Sequence, residues 1–232
     1  MLKKVNLGCG PIGKEDWINL DWGILAFLHK NSLLEKLFLK LGFLPARYNI
    51  KWPRNLKLHD LKKRLPFNTG EADYVYISHV LEHFKKFEAE NIMKESFRIL
   101  KKGGSIRIVV PDLKILLEKY VQGDKRYFKK IDKLTQDDNK KDNAEKEILL
   151  ADVLMSNFYP HFYREEFKGF KKFLIPFIRP HCWMYDYESM RYLLERIGFK
   201  NIRKETFQKG KVPDLDQLDV FREMSLFVEA EK

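Results

Sequence analysis

The stretch Val5-Asn6-Leu7-Gly8-Cys9-Gly10 decides the fold of this 232-residue chain. It reads as a short buried strand that ends in a loop with two glycines. Glycine lets the backbone approach a ligand closely, because no Cβ intervenes and a positive φ is allowed. A glycine pair alone is weak evidence, so its meaning depends on the strands that follow.

Acidic residues end the next two predicted strands. A second strand, Trp17-Ile18-Asn19-Leu20-Asp21, closes on Asp21, and a third strand over 56–61 brings Asp60 to its end. Ligands of open α/β sheets bind outside the carboxyl ends of the strands. Asp21 is placed to accept hydrogen bonds from two ribose hydroxyls, and Asp60 to accept one from an adenine amino group. The glycine loop, Asp21 and Asp60, each at the end of a predicted strand, are together stronger evidence for a ligand site than the glycines alone.

The rest of the pattern alternates strands with helices. We expect strands at 72–79, 105–112, 202–207 and 225–230, and helices at 87–100 and 187–197, the latter ended by Gly198. This alternation implies parallel βαβ units with right-handed crossovers, and therefore an α/β fold.

Two segments fall outside this alternation. A helix over 24–41 follows Asp21 directly, which favours a lid over the ligand edge. One of its faces is apolar: Ile24, Phe27, Leu34, Phe38 and Leu41. Residues 129–147 are dense in charges of both signs, which predicts a solvated surface segment.

The composition sets bounds on location and partners. The net charge is +11, which favours anionic partners but also fits an ordinary lysine-rich surface. Cys9 and Cys182 lie far apart and form no C-x-x-C pair, so we expect reduced thiols, no metal site and a cytoplasmic protein. Polar residues interrupt the most apolar stretch, 22–44, so we expect no membrane span.

Several motifs resemble class I S-adenosylmethionine-dependent methyltransferases of the type-11 branch. The glycine loop is similar to their first motif, and Asp21 resembles their ribose-binding acid. The matching segments are Leu65-Pro66-Phe67, Ala72-Asp73-Tyr74-Val75, Ser78-His79-Val80-Leu81-Glu82-His83, 98–104, 107–113, 181–186 and 194–199. The resemblance implies a Rossmann-like three-layer sandwich, with a seven-stranded, mostly parallel sheet whose last strand is antiparallel.

The resemblance implies S-adenosylmethionine as the cofactor. The expected cofactor-binding residues are Leu7, Gly8, Cys9, Gly10, Asp21, His59, Asp60, Leu61, Ser78 and His79. The gap from Gly10 to Asp21 has no room for a full crossover helix, which argues against a dinucleotide such as NAD.

Three histidines are the candidate catalytic residues. His79 ends the fourth strand, where the methyl group is expected, and is a candidate general base; it is equally compatible with a structural role. His83 lies a turn later. His181 lies near Trp183 and Tyr185, and such an aromatic-rich segment can line an acceptor pocket, although it packs a core more often. His161 has similar aromatic neighbours.

The sequence leaves the acceptor open. A D/N/S-P-P-Y/F motif, which nucleic-acid amino-methyltransferases share, is missing after the fourth strand, so a small molecule, anionic or a glycan precursor, ranks ahead of nucleic acid. The alternatives are a membrane-surface methyltransferase acting on a lipid or quinone, and an inactive cofactor-binding regulatory module. We expect one domain over 1–232, with a helical insertion at about 23–55 and a substrate-side insertion at about 120–180.

Overall fold

A computed structural model describes residues 2–41, 51–135, 149–158 and 181–232. Seven strands form one sheet in the order β3-β2-β1-β4-β5-β7-β6. The strands are β1 (Lys4–Leu7), β2 (Ile18–Asp21), β3 (Lys57–Leu58), β4 (Ala72–Ser78), β5 (Leu100–Pro111), β6 (Lys200–Glu205) and β7 (Ser225–Glu231). Strands β1 to β5 pair in parallel, whereas β7 is antiparallel to both β5 and β6. The predicted fold class is confirmed.

Side chains of alternate residues on the central strands enter two different cores. Val75 and Ile77 of β4 pack in the larger core, while Tyr76 between them packs in the smaller one. The helices are α1 (Ile24–Lys30), α2 (Ser32–Lys40), α3 (Lys86–Ile99), α4 (Leu113–Val121), α5 (Lys125–Thr135), α6 (Leu150–Phe158), α7 (Tyr187–Ile197) and α8 (Leu215–Leu218). Helices α3 and α7 cover the first face and α8 the second, which gives the three layers.

Three local expectations need correction. The helix over 24–41 breaks at Asn31, whose φ of −118° and ψ of 72° are not helical, and every α2 side chain is at least partly exposed. The third strand ends at Leu58, because β3 pairs with β2 only as far as Asp21, so Asp60 lies in the loop that follows. The predicted solvated segment begins as α5, which buries Ile131; residues 136–148 lie outside the described chain.

The two predicted insertions are described only in part. The described residues of 23–55 contain α1 and α2, and those of 120–180 contain α5 and α6. The predicted domain boundaries therefore stay predictions. Among the described residues, no helix is long and apolar enough to cross a membrane.

Candidate active site

The glycine loop after β1 forms one wall of the ligand edge. Gly8 and Gly10 adopt positive φ values of 70° and 50°. A Cβ built on Gly8 would lie 2.3 Å from Cγ2 of Val80, whereas no described atom lies within 4 Å of a Cβ built on Gly10. Gly8 therefore lets β1 pack against the end of β4, and Gly10 borders open space that a ligand can fill.

Asp21 ties the end of β2 to this loop. Its Oδ2 accepts a hydrogen bond of 2.7 Å from the Gly10 backbone N–H, and its Oδ1 accepts one of 2.6 Å from Trp22 N–H. The His59 N–H donates to the Asp21 carbonyl at 2.9 Å, so the loop after β3 joins the same edge. The structure thus brings together the glycine loop, Asp21 and the neighbours of Asp60.

The loop after β3 supplies the third side of the edge. Asp60 is half-buried, and its Oδ1 accepts a hydrogen bond of 3.1 Å from the Lys62 N–H, which stabilises the turn. The next residue, Leu61, is buried. The His59 Nε2 atom is buried without a hydrogen-bond partner among the described residues. An unpaired buried nitrogen in the loop that carries the half-buried Asp60 fits a polar ligand such as an adenosyl group.

Cys9 has a structural role in the loop. It is buried and packs with Ala26 of α1 and Leu56. Burial, reinforced by the Asp21 carboxylate, raises the pKa of its thiol far above the ordinary value. Cys9 is therefore a neutral packing residue and not a nucleophile.

His79 follows β4 and bridges two elements. Its φ of 52° is in the left-handed region, which is uncommon for a residue other than glycine. Its Nδ1 lies 3.2 Å from Glu82 Oε1 and its Nε2 lies 3.0 Å from Ser225 Oγ, while its ring packs edge-on against Phe221. Both ring nitrogens therefore face side chains of this protein.

A second group of side chains surrounds Glu82. The His83 and His181 rings lie 4.9 Å apart, and each of the three residues offers a ligand atom within 4.8 Å of the others. The Glu82 carbonyl accepts from Cys182 N–H at 2.6 Å and Trp183 N–H at 3.1 Å, which holds the segment at 181–183 against the turn that follows β4.

The electrostatics of this group are unusual. Glu82 is fully buried, and neither carboxylate oxygen has a hydrogen-bond partner among the described residues. Burial opposes its ionisation, but His79, His83 and His181 outweigh that effect and hold the pKa of Glu82 below its ordinary value. Burial lowers the pKa of His181 to about 4, so its imidazole is neutral at neutral pH.

The three predicted catalytic histidines therefore lie around one carboxylate. Glu82 lies in the Ser78–His83 motif but was not predicted as a site residue. The sequence signal that could have identified Glu82 is its position three residues after His79 and one before His83. His161, the other histidine considered, lies outside the described residues.

Some solved structures match this chain at TM-scores below 0.5. Two solved S-adenosylmethionine-dependent methyltransferases resemble it at low identity. One, from Archaeoglobus fulgidus, is 15% identical, with 100% of this chain and 86% of that chain covered at a TM-score of 0.48. The other, from Methanosarcina mazei, is 17% identical, with 99% and 92% covered at a TM-score of 0.47.

The assignment rests on a family model and not on these structures. No curated protein matches the sequence. The model described as "Methyltransferase domain" matches residues 42–204, which is more than half of the chain. The chain therefore belongs to the methyltransferase-domain family, and it is a class I enzyme that uses S-adenosylmethionine.

Proposed function

We propose that this enzyme methylates a small molecule that is anionic or a glycan precursor. The observation that carries the proposal is the surface beside His181. Trp183 is 41% exposed, and the Lys86 Nζ lies 5.2 Å from its ring. An exposed aromatic face suits a sugar ring, and an adjacent ammonium suits a phosphate or carboxylate. The net charge of +11 also favours an anionic acceptor.

The cofactor side of the proposed site is the edge formed by the glycine loop and the ends of β2 and β3. Gly8 and Gly10 admit the ligand, Asp21 accepts from its ribose, and Asp60 recognises its adenine. The other proposed contacts are Leu7, Cys9, His59, Leu61, Ser78 and His79. The bound cofactor supplies an electrophilic methyl group, while the protein contributes orientation and exclusion of water.

The acceptor side of the proposed site is the group formed by His79, His83 and His181. His83 and His181 face the acceptor in this proposal. His79 acts through Glu82, because both of its nitrogens face protein side chains. The general-base role predicted for His79 from the sequence stays a competing hypothesis.

Calorimetry tests the cofactor side of the proposal. We expect S-adenosylhomocysteine to bind at micromolar concentrations and NAD to produce no heat. A preference for NAD would contradict the proposed site.

A methyl-transfer assay tests the acceptor. A cell extract is separated into small molecules, nucleic acid, protein and lipid, and each is incubated with enzyme and radiolabelled S-adenosylmethionine. We expect label in anionic small molecules, and less of it with Asp21→Ala when the cofactor is below saturation. Label confined to nucleic acid, protein or lipid would contradict the proposal.

An exposed apolar surface favours a second candidate, methylation at a membrane surface. Helices α1 and α2 expose Phe27 at 47%, Leu33 at 82% and Leu37 at 47%. Lys30, Lys36 and Lys40 lie in the same two helices. Apolar residues with nearby lysines are typical of helices that bind anionic bilayers.

Co-sedimentation with anionic liposomes separates the two candidates. The membrane candidate predicts binding that Leu33→Ser with Leu37→Ser abolishes. The control is Val121→Ser, which removes an apolar side chain that is 85% exposed on α4. Wild-type protein that stays in the supernatant would leave only the small-molecule candidate.

A further inference from the structure

We propose that Glu82, His83 and His181 bind a divalent transition-metal ion, such as Zn²⁺ or Mn²⁺, beside the cofactor loop. The inference rests on the proposed function and deepens it, because the ion would bind and activate an acceptor hydroxyl. It departs from the expectation of no metal site that the cysteines suggested.

The positions of the three ligand atoms fit one ion. They lie within 4.8 Å of one another. Bonds from imidazole nitrogen and carboxylate oxygen to Zn²⁺ are about 2.0–2.2 Å, so two ligands of one ion lie roughly 3–4 Å apart. Small side-chain rotations therefore suffice to close the site, and two imidazoles with one carboxylate form a common ligand set for such ions.

The Glu82 carboxylate supplies an independent reason for an ion. It is fully buried and lacks hydrogen bonds among the described residues, although buried polar groups are nearly always hydrogen-bonded. A buried carboxylate with no strong partner is costly to keep. A divalent cation bound between Glu82 and the two imidazoles would satisfy it.

The neighbours of the ligands orient them for metal binding. His181 Nδ1 lies 2.5 Å from the Asn157 carbonyl oxygen. A carbonyl only accepts, so Nδ1 carries the proton and Nε2 of the neutral ring keeps its lone pair for an ion. His79 Nδ1 lies 3.2 Å from Glu82 Oε1 and takes a similar outer position. Metal-binding histidines and carboxylates generally have such partners.

The position of the site suggests what the ion does. Three protein ligands leave coordination positions for a substrate oxygen, and a bound hydroxyl becomes more acidic. Val80, two residues before Glu82, lies against the cofactor loop, because a Cβ built on Gly8 would clash with its side chain. The acceptor class is therefore an alcohol or phenol. Its hydroxyl loses a proton to water, and its oxygen forms a bond to the methyl carbon as the sulfur–carbon bond breaks, which leaves a neutral thioether.

Metal titration of the chelator-treated full chain tests the proposal. We expect one Zn²⁺ or Co²⁺ per chain by calorimetry, and Co²⁺ to show d–d absorption bands typical of nitrogen and oxygen ligands. The cobalt spectrum of wild-type protein does not depend on any variant folding. Failure of both ions to bind, or a spectrum from thiolate ligation, overturns the proposal.

Variants test the ligand set. Loss of an outer partner costs about 10–100-fold in metal affinity, so Glu82→Gln, His83→Ala and His181→Ala should each cost more than about 100-fold. His29→Ala and Cys182→Ser are controls that should bind as wild type; Cys182 tests the exposed thiol beside His181. Unchanged affinity in the ligand variants overturns the proposal.

Two further measurements separate this inference from the proposed function. S-adenosylhomocysteine binding to the metal-free chain tests the cofactor site alone. If that ligand binds and the metal does not, only the metal site is wrong; if neither binds, the proposed function is wrong too. Mass spectrometry of the product tests the acceptor class, and an N-methyl or C-methyl product contradicts a metal-bound hydroxyl.

Discussion

Two buried acid–base clusters in this enzyme contain similar groups but are bonded differently. Arg107 of β5 lies opposite Glu229 of β7, and its Nη2 is 2.5 Å from Asp219 Oδ2. The guanidinium also donates to two backbone carbonyls at 2.9 Å, and Glu229 accepts from the Lys211 and Val212 N–H groups. In this cluster, which we call the arginine cluster, every charged group has several hydrogen-bond partners.

The group around Glu82, which we call the histidine cluster, has the same degree of burial with far fewer hydrogen bonds. Glu82 and Arg107 are both fully buried, yet neither Glu82 carboxylate oxygen has a hydrogen bond among the described residues, and its ion-pair contact is with His79 at 3.2 Å. Burial of charge alone therefore does not identify a functional site. A buried charge whose hydrogen-bonding capacity is unused is the better indicator, because buried polar groups in folded proteins are nearly always hydrogen-bonded.

The largest expected effect compares one substitution in each cluster. Arg107→Met leaves Asp219 and Glu229 buried without their cation, so the free energy of unfolding should fall by about 3–5 kcal/mol. Glu82→Gln removes a carboxylate whose pKa the neighbouring histidines lower, so the metal-free protein should lose some stability, but less than Arg107→Met loses. Urea denaturation measures both variants. Equal losses would show that Glu82 is as structural as Arg107.

The sequence predicted the parts of the fold that local signals specify. The glycine loop, the end of β4 and the stop of α7 at Gly198, whose φ is 111°, all depend on residues close together in the chain. The break at Asn31 and the exposure of Leu33 and Leu37 were missed, because a helical pattern alone does not show which face is covered.

The histidine cluster was predicted as residues but not as an arrangement. Glu82 and His181 are almost a hundred positions apart, and their proximity depends on backbone hydrogen bonds from Cys182 and Trp183 to Glu82. Pairing between distant segments leaves no periodic pattern in the sequence. The arginine cluster was missed for the same reason, since Arg107 meets Glu229 only through the register of β5 and β7.

The second prediction concerns the contact between the cofactor loop and the residues that lead into the histidine cluster. In Gly8→Ala, an alanine must adopt the positive φ of this position, which lowers the free energy of unfolding by about 1–2 kcal/mol. The new Cβ also clashes with Val80, which costs about 1–3 kcal/mol more. Gly10→Ala, the control, should incur only the first cost because it faces open space. Urea denaturation measures the free energy of unfolding for both.

A double variant identifies the source of the Gly8 effect. Val80→Ala removes the two methyl groups that the new Cβ would meet and leaves only the Val80 Cβ at 3.3 Å. In that background Gly8→Ala should therefore lower the free energy of unfolding by little more than the cost of the positive φ. A loss that persists unchanged in the double variant would mean that Val80 does not constrain Gly8.

The third prediction examines Asp21, which differs from Glu82 because both of its oxygens already accept backbone hydrogen bonds. Asp21→Ala removes the proposed acceptor for the ribose hydroxyls. A hydrogen bond to a charged group contributes about 1.5–3 kcal/mol, so the dissociation constant of S-adenosylhomocysteine should rise roughly tenfold to a hundredfold. The control is Asp16→Ala at an exposed acid. An unchanged constant by calorimetry would place the ribose contact elsewhere.

The last prediction decides whether His79 belongs to the histidine cluster as a positioning residue or acts as a base. As an outer partner of Glu82, His79→Ala should weaken metal binding by about 10–100-fold. His79→Gln should restore most of the affinity and activity, because an amide can donate to Glu82 and accept from Ser225. Both variants bear the same cost of a positive φ at this position, so the difference between them isolates the hydrogen bonds.

A general base predicts otherwise: Gln and Ala would both lower turnover by about 10²–10⁴ and leave metal affinity intact. Metal titration and turnover, measured on the same two variants, therefore separate the two roles.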